Sequence, residues 1–324
     1  MEVLNKSFKQ FYWMQYLISA DIYNFMFILG EIQIDNWKLI PNQNSHDIYK
    51  RIKKEDISLL TGSSELYINY DGDFEQALDH GMNILNLYSK LLSFTENADV
   101  YFNNYRCYEI IDGEKIIKLR SYYPIRIRRP WGYTHFGYEE LLEYLNKATK
   151  LILNEDFMEK TNIDRTMDWY TLAQSTNIFD TRLLLLFISL EIVANSWAKY
   201  NDKFYILNET EKKTLIKGVK KVLKKEMDIE KSLRKQVNEN VNALNRSSIK
   251  NKTINICIDL EIELDVDELK QMIKLRNMIV HGDRIEYSSE LFDYNEKLDS
   301  IIQNIVYTLV GVGENVGKFH FRQF

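Results

Sequence analysis

Residues 265 to 282 have the sequence DVDELKQMIKLRNMIVHG, which marks both ends of a helix. Asp265 or Asp267 can cap the first turn, because a short acceptor side chain satisfies the open N–H groups there. Gly282 can end the helix, because glycine readily adopts the left-handed backbone that follows a last helical turn. The sequence therefore predicts a helix that begins at one of the two aspartates and ends at His281.

Three polar residues lie near the end of this helix: Arg276, Asn277 and His281. Asn277 and His281 are four residues apart and share a helix face. Arg276 lies about 140° around the helix axis from His281, given about 3.6 residues per turn. One helix alone therefore aims Arg276 and His281 poorly at a single phosphate group.

The segment Arg276-Asn277-Met278-Ile279-Val280-His281, followed by Gly282, resembles the Arg-Asn-x-x-x-His core of the HEPN superfamily (higher eukaryotes and prokaryotes nucleotide-binding). The order of predicted elements is also similar: an apolar helix with Glu191, a basic helical pair, the motif helix and an apolar closing helix. This resemblance covers about 165 to 315. Residues 74 to 200 also resemble the Apea-like branch of this superfamily. The residues that carry this resemblance are Leu92-Ser93-Phe94 after one helix and Trp169-Tyr170 before the apolar helix.

The resemblance implies an endoribonuclease that uses no metal ion or other cofactor and leaves 2′,3′-cyclic phosphate and 5′-hydroxyl ends on RNA. His281 would move protons, since imidazole titrates near neutral pH, and the planar Arg276 guanidinium would bind the phosphate. Asn277 would orient His281 or hydrogen-bond the phosphate. Two motif helices across a two-fold axis would bring two arginines and two histidines to one cleft, so an obligate homodimer is expected. The family also implies a toxin or anti-phage defence setting, in which a partner or antitoxin protein could bind this chain.

Other interpretations of the motif stay open. His281 beside Gly282 can cap helix carbonyl groups and interact with the helix dipole, and Arg276 can be an ordinary surface or interface cation. The helical domain would then be a non-catalytic HEPN module that binds a nucleotide, an RNA or a partner protein. An antitoxin-like or scaffold dimer is a third possibility.

Several candidate site residues lie outside the motif. Glu191 interrupts an apolar helix, and an unpaired buried carboxylate is costly, so we expect it to pair with Arg276 or another cation, or to support catalysis. RNA contacts are predicted for four lysines of a basic helix and two arginines on one strand face: Lys217, Lys220, Lys221, Lys224, Arg126 and Arg128. A solvated lysine face and an ordinary aromatic core are the simpler explanations of these two clusters.

The composition is that of a folded protein, with 45% hydrophobic and 27% charged residues among 324. The net charge of −5 conceals contrast, since residues 212 to 250 contain twelve basic against four acidic groups, a local charge of +8. Cys107 and Cys257 fit neither a disulfide framework nor a metal-ligand spacing, so a cytoplasmic location is expected. The longest apolar run, 183 to 198, contains Glu191 and is too short to span a bilayer, so no membrane partner is expected.

The predicted fold class is α+β. A mixed α/β domain at 1 to 160 would act as a sensor or substrate selector, and an all-helical HEPN bundle would occupy 161 to 324. Strands are predicted at 25 to 40, 66 to 70 and 100 to 127, the last around a hairpin turn at Asp112-Gly113. Helices are predicted at 74 to 94, 139 to 153, 182 to 199 with Asp180 as N-cap, 210 to 227, 229 to 244, 265 to 281 and 288 to 312. The polar residues 245 to 253 predict a loop.

Overall fold

The computed structural model describes residues 15–23, 31–34, 36–42, 60–96, 99–121, 138–225, 245–283 and 289–312. The predictions for Arg126, for Arg128 and for a helix at 229 to 244 lie outside these residues. Within the described residues an antiparallel sheet occupies the first part of the chain and helices occupy the rest, which confirms the α+β class. A domain boundary at 160 stays a prediction.

The sheet contains six strands in the order β2-β3-β4-β1-β5-β6. Their bounds are β1 Tyr16–Tyr23, β2 Ile32–Ile34, β3 Trp37–Asn42, β4 Leu60–Ile68, β5 Tyr101–Ile111 and β6 Glu114–Ser121. Asp112 and Gly113 join β5 to β6 at φ 51° and 82°, the positive values that a two-residue hairpin turn requires. Strand β1 is missing from the sequence-based prediction. All but one of its residues are buried, so it lacks the alternation of buried and exposed residues that identifies a half-buried strand.

Nine helices occur among the described residues. Their bounds are α1 Phe74–Glu96, α2 Tyr138–Ile152, α3 Glu155–Thr161, α4 Ile163–Gln174, α5 Phe179–Tyr200, α6 Glu209–Lys225, α7 Ile249–Asp259, α8 Val266–His281 and α9 Ser289–Val310. Six of them match predicted helices to within a few residues at each end. The loop predicted at 245 to 253 is wrong from Ile249 onward, because the Ser248 side chain accepts a hydrogen bond from Asn251 N at 3.2 Å and so starts α7.

Helix α1 packs on one face of the sheet, against β1, β4 and β5. Its N-terminus has a reciprocal capping box, in which Gln76 N donates to Asp73 Oδ1 at 2.9 Å and Asp73 N donates to Gln76 Oε1 at 3.4 Å. The ring of Tyr88 meets Trp37 of β3 edge to face, with centroids 5.8 Å apart. These contacts fix α1 on the sheet.

Gly81 allows α1 to approach the sheet closely. A Cβ atom there would overlap Ile18 Cδ1 and lie 2.5 Å from Ile68 Cδ1, and both isoleucines are buried. We expect Gly81→Ala to lower the free energy of unfolding by about 1–3 kcal/mol, because overpacking outweighs the better helix propensity of alanine. Gly218→Ala is the matched control, since a Cβ atom at that helical glycine meets nothing within 4 Å. Urea unfolding of both variants measures the difference, and equal stabilisation by both would contradict the tight approach.

An aromatic cluster connects α1 to the helices that follow. The Phe94 ring lies 4.6 Å from Tyr170 of α4 and 5.5 Å from Tyr307 of α9, measured between centroids. Tyr144 of α2 meets Tyr307 edge to face, with centroids 5.6 Å apart. All four rings are fully buried. The sheet with α1 and the helical part therefore share one continuous hydrophobic core.

Helix α5 is the centre of the helical part and contacts α3, α4, α7, α8 and α9. It begins at Phe179 with Ile178 at the N-cap position, so the prediction of Asp180 as N-cap is wrong by two residues. Asp180 lies in the first turn, where its charge still complements the helix dipole. With 22 residues, α5 is long and apolar enough by composition to span a membrane, although half of its apolar window is buried in the protein. The central helix of a soluble bundle has the same two properties.

Candidate functional site

The helix that contains the motif is α8, and both of its predicted ends are confirmed. Asp265 is the N-cap, with Oδ1 accepting hydrogen bonds from the backbone N atoms of Asp267 at 2.9 Å and Glu268 at 3.0 Å. At the other end Gly282 has φ 77°, and its N–H bonds the Ile279 carbonyl at 3.1 Å. The left-handed glycine stops the helix directly after His281.

Arg276 is paired with Glu191, the acid of α5. Its Nη2 atom lies 3.1 Å from Glu191 Oε1, and about a third of each side chain is exposed. Its Nη1 atom donates to Asn277 Oδ1 at 3.2 Å. The predicted pairing of Glu191 with Arg276 is therefore confirmed. A guanidinium has five N–H donors, so these two bonds leave it able to bind a phosphate as well.

His281 is exposed on the last turn of α8, as is Asn277 one turn earlier. Between them Met278 and Ile279 are half-buried, and Val280 has 55% of its surface exposed. Solvent therefore reaches the imidazole, and an apolar side chain next to it is open to contact.

Lys252 is a further cation close to this pair. It lies on α7, is only 7% exposed and donates to Asn195 Oδ1 at 2.8 Å, where Asn195 lies one turn after Glu191 on α5. Its ammonium also lies 4.1 Å from the centroid of the Phe204 ring. Burial lowers the pKa of Lys252, and the negative charge of Glu191 opposes that shift. Glu191 thus lies in the field of two cations, Arg276 on α8 and Lys252 on α7.

Lys252 is not among the predicted site residues, because the segment around it was predicted to be a loop. The available signal was Ser248, an N-cap residue three positions before Asn251. It indicates that Lys252 lies in a helix but not that this helix packs on α5. A lysine in a first helical turn opposes the helix dipole, and the hydrogen bond to Asn195 offsets part of that cost.

The predicted RNA-binding lysines lie on α6. Lys217, Lys220 and Lys221 are exposed and share one helix face, and Lys224 follows Lys217 in the sequence at i+7. No described contact joins these lysines to Arg276 or His281. They form a separate basic surface, and their contact with RNA stays a prediction.

The two cysteines are buried and unpaired with each other. Burial raises the pKa of Cys107 to about 11 and that of Cys257 to about 12. Both thiols are therefore protonated at neutral pH and are poor nucleophiles. Across the described part of the chain, no group of three or more His, Cys, Asp or Glu side chains is arranged to hold a metal ion.

Comparison of the chain with family models, with curated proteins and with solved structures gives no match.

Proposed function

We propose that this protein is a metal-independent endoribonuclease of the HEPN type, with Arg276, Asn277 and His281 as its catalytic residues. The main support is the pairing of Arg276 with Glu191 beside the exposed end of α8, where His281 is the last helical residue. The guanidinium and the solvent-accessible imidazole supply two of the three roles that RNA transesterification needs, which are charge stabilisation and one of the two proton transfers. Glu191 acts as a positioning residue for Arg276.

The proposed reaction is an attack within the RNA strand. A base takes the proton of a ribose 2′-hydroxyl, the oxygen attacks the adjacent phosphorus, and the bond to the 5′ oxygen of the next nucleotide breaks as that oxygen takes up a proton. His281 of one copy takes the first proton and His281 of a second copy gives the second, since an imidazole can serve as a general base or as a general acid. Arg276 stabilises the charge that grows on the phosphoryl oxygens, and Asn277 orients His281 or the phosphate.

A homodimer is part of the proposal. Arg276 and His281 point about 140° apart around α8 if the helix is regular, so a second copy would complete the set of groups around one phosphate. The exposed Val280 beside His281 gives the two copies an apolar contact. The specific activity would then fall on dilution, and sedimentation at the same concentrations would follow dimer dissociation.

The first experiment is cleavage of a mixed RNA pool by the full chain in the presence of EDTA. We expect fragments with 2′,3′-cyclic phosphate and 5′-hydroxyl ends. The cyclic phosphate is identified by its resistance to enzymes that require a 3′-hydroxyl, and the 5′-hydroxyl by its resistance to enzymes that require a 5′-phosphate. A DNA pool of the same sequences should stay intact, because DNA lacks the 2′-hydroxyl nucleophile. Loss of all cleavage in EDTA, or cutting of DNA, would contradict the proposed mechanism.

The second candidate is a non-catalytic module that binds a nucleotide, RNA or a partner protein. The observation in its favour is that Arg276 already has two partners within its own chain, Glu191 and Asn277, as a structural arginine would. A stoichiometric RNA complex without turnover would favour this candidate. For either activity we propose a cytoplasmic toxin or defence setting, in which the sheet and α1 belong to a sensor or substrate-selecting part.

A further inference from the structure

An aromatic and basic surface follows the end of α5. Tyr205 has 55% of its surface exposed and contacts the half-buried Phe204 edge to face, with ring centroids 5.0 Å apart. Lys212 Nζ lies 5.5 Å from the centroid of Tyr205, and Lys199 Nζ lies 5.4 Å from that of Phe204. We call these four residues, Lys199, Phe204, Tyr205 and Lys212, the aromatic platform.

The backbone of the platform is firmly held although the Tyr205 ring is exposed. Ser247 N donates to the Phe204 carbonyl at 2.9 Å, and Ile206 N donates to the Asn245 carbonyl at 2.9 Å. The Asn245 side chain bonds Leu207 at both its N–H and its carbonyl, at 2.7 Å and 3.1 Å. A bridge between Tyr205 and Arg246 completes this short ladder. An exposed tyrosine on a fixed loop loses little freedom when a ligand stacks on it.

A second tether holds the end of α5 beside the platform. Trp197 Nε1 donates to Asp259 Oδ2 at 2.9 Å, and Lys203 Nζ lies 2.6 Å from Asp259 Oδ1. These bonds lower the pKa of Asp259, that to Lys203 more than that to Trp197. The carboxylate therefore stays charged throughout the neutral range, and the tether persists under the conditions in which RNA is bound.

Side-chain contacts link the platform to the part of α5 that contains Glu191. Phe204 packs on the ammonium of Lys252 at 4.1 Å, and Lys252 donates to Asn195 at 2.8 Å. Asn195 lies one helical turn from Glu191, which holds Arg276 at 3.1 Å. A ligand on Tyr205 therefore lies at one end of a chain of contacts that has Arg276 at its other end.

We propose that the aromatic platform binds single-stranded RNA, with a base stacked on Tyr205 and the adjoining phosphates held by Lys199 and Lys212. Exposed aromatic rings flanked by lysines suit unstacked bases and a charged backbone, whereas bases inside a duplex are not open to stacking on Tyr205. Glu209 lies 3.5 Å from Lys212, but Glu209 is largely exposed and Lys212 is partly exposed, so a phosphate can replace this ion pair. This proposal rests on the proposed function, because it states how the substrate of that reaction is held.

The test uses the full chain with His281→Ala, so that binding is measured without cleavage. A short fluorescent oligouridine is titrated and its anisotropy gives the dissociation constant. We expect Tyr205→Ala to raise that constant about tenfold, as loss of one base stack does, and Tyr205→Phe to leave it nearly unchanged. Phe292→Ala is the matched control, since Phe292 is 48% exposed but lies on α9, outside the platform. Circular dichroism checks that each variant is folded.

Salt dependence tests the lysines separately. Lys212→Gln should reduce the slope of log binding constant against log salt concentration by about 0.7, the value for one lost phosphate contact with a single strand. Lys150→Gln, an exposed lysine of α2, should leave the slope unchanged. Oligouridine binding that is as tight with Tyr205→Ala as with the parent, or a parent that does not bind, overturns the platform. Cleavage of RNA by the wild type is a separate readout, so the platform and the ribonuclease can fail independently.

Discussion

Replacing His281 with alanine should lower the rate of RNA cleavage by a factor of about 10² to 10⁴, the usual contribution of one general acid or base. The imidazole is exposed at the end of α8, so its removal should change the free energy of unfolding by less than about 0.5 kcal/mol. A large effect on rate with almost none on stability distinguishes a catalytic histidine from one that caps the helix. The measurement is single-turnover cleavage of a labelled RNA, with urea unfolding of the same preparations.

Matched variants at the other motif positions sharpen this test. Arg276→Lys retains a positive charge but lacks the planar fork, so it should stay well below wild-type activity and above Arg276→Ala. Glu191→Gln should act more weakly than either, because it affects only the position of Arg276. Sedimentation establishes whether each variant has the oligomeric state of the wild type. Undiminished cleavage by His281→Ala would exclude the proposed role of this residue. So would a loss of unfolding free energy large enough to account for the whole loss of cleavage rate.

The sequence predicts the ends of α8 well because local chemistry sets them. An acceptor side chain at Asp265 and a left-handed glycine at 282 satisfy backbone groups within a few residues of the chain. The hairpin at Asp112-Gly113 is predicted for the same reason. The pairing of Glu191 with Arg276 is also foreseeable, because a carboxylate in an apolar helix needs a cation.

Other features depend on contacts distant in sequence. Strand β1 lies between β4 and β5, so its residues are buried without alternation and its sequence does not distinguish a strand from a buried helix. Lys252 is directed at Asn195 by the packing of α7 on α5, which no local pattern contains. The platform is likewise assembled from the end of α5, a loop and α6. Local signals therefore predict the motif but not the cations and rings that surround it.

Replacing Phe94 with alanine should lower the free energy of unfolding by about 3–5 kcal/mol, the usual cost of removing a fully buried phenylalanine. Phe94 has no exposed surface, and its ring fills the space between Tyr170 and Tyr307 at the junction of α1, α4 and α9. Typical domains have a stability of about 5–15 kcal/mol, so the loss is a large fraction of the total. Urea unfolding followed by circular dichroism measures it.

Phe292→Ala is the control for this substitution, because the same atoms are removed from a ring that is 48% exposed. It should cost far less than Phe94→Ala, and equal losses would contradict the packing of the aromatic cluster.

Hydrogen exchange adds a second readout, because Phe94 lies before residue 160 and its two partners lie after it. If the continuous core makes the sheet and the helices one cooperative unit, Phe94→Ala should reduce protection in β1 and in α5 together. Loss of protection in β1 alone would instead indicate two separately cooperative units on either side of the predicted boundary, with the motif of α8 in the more stable one.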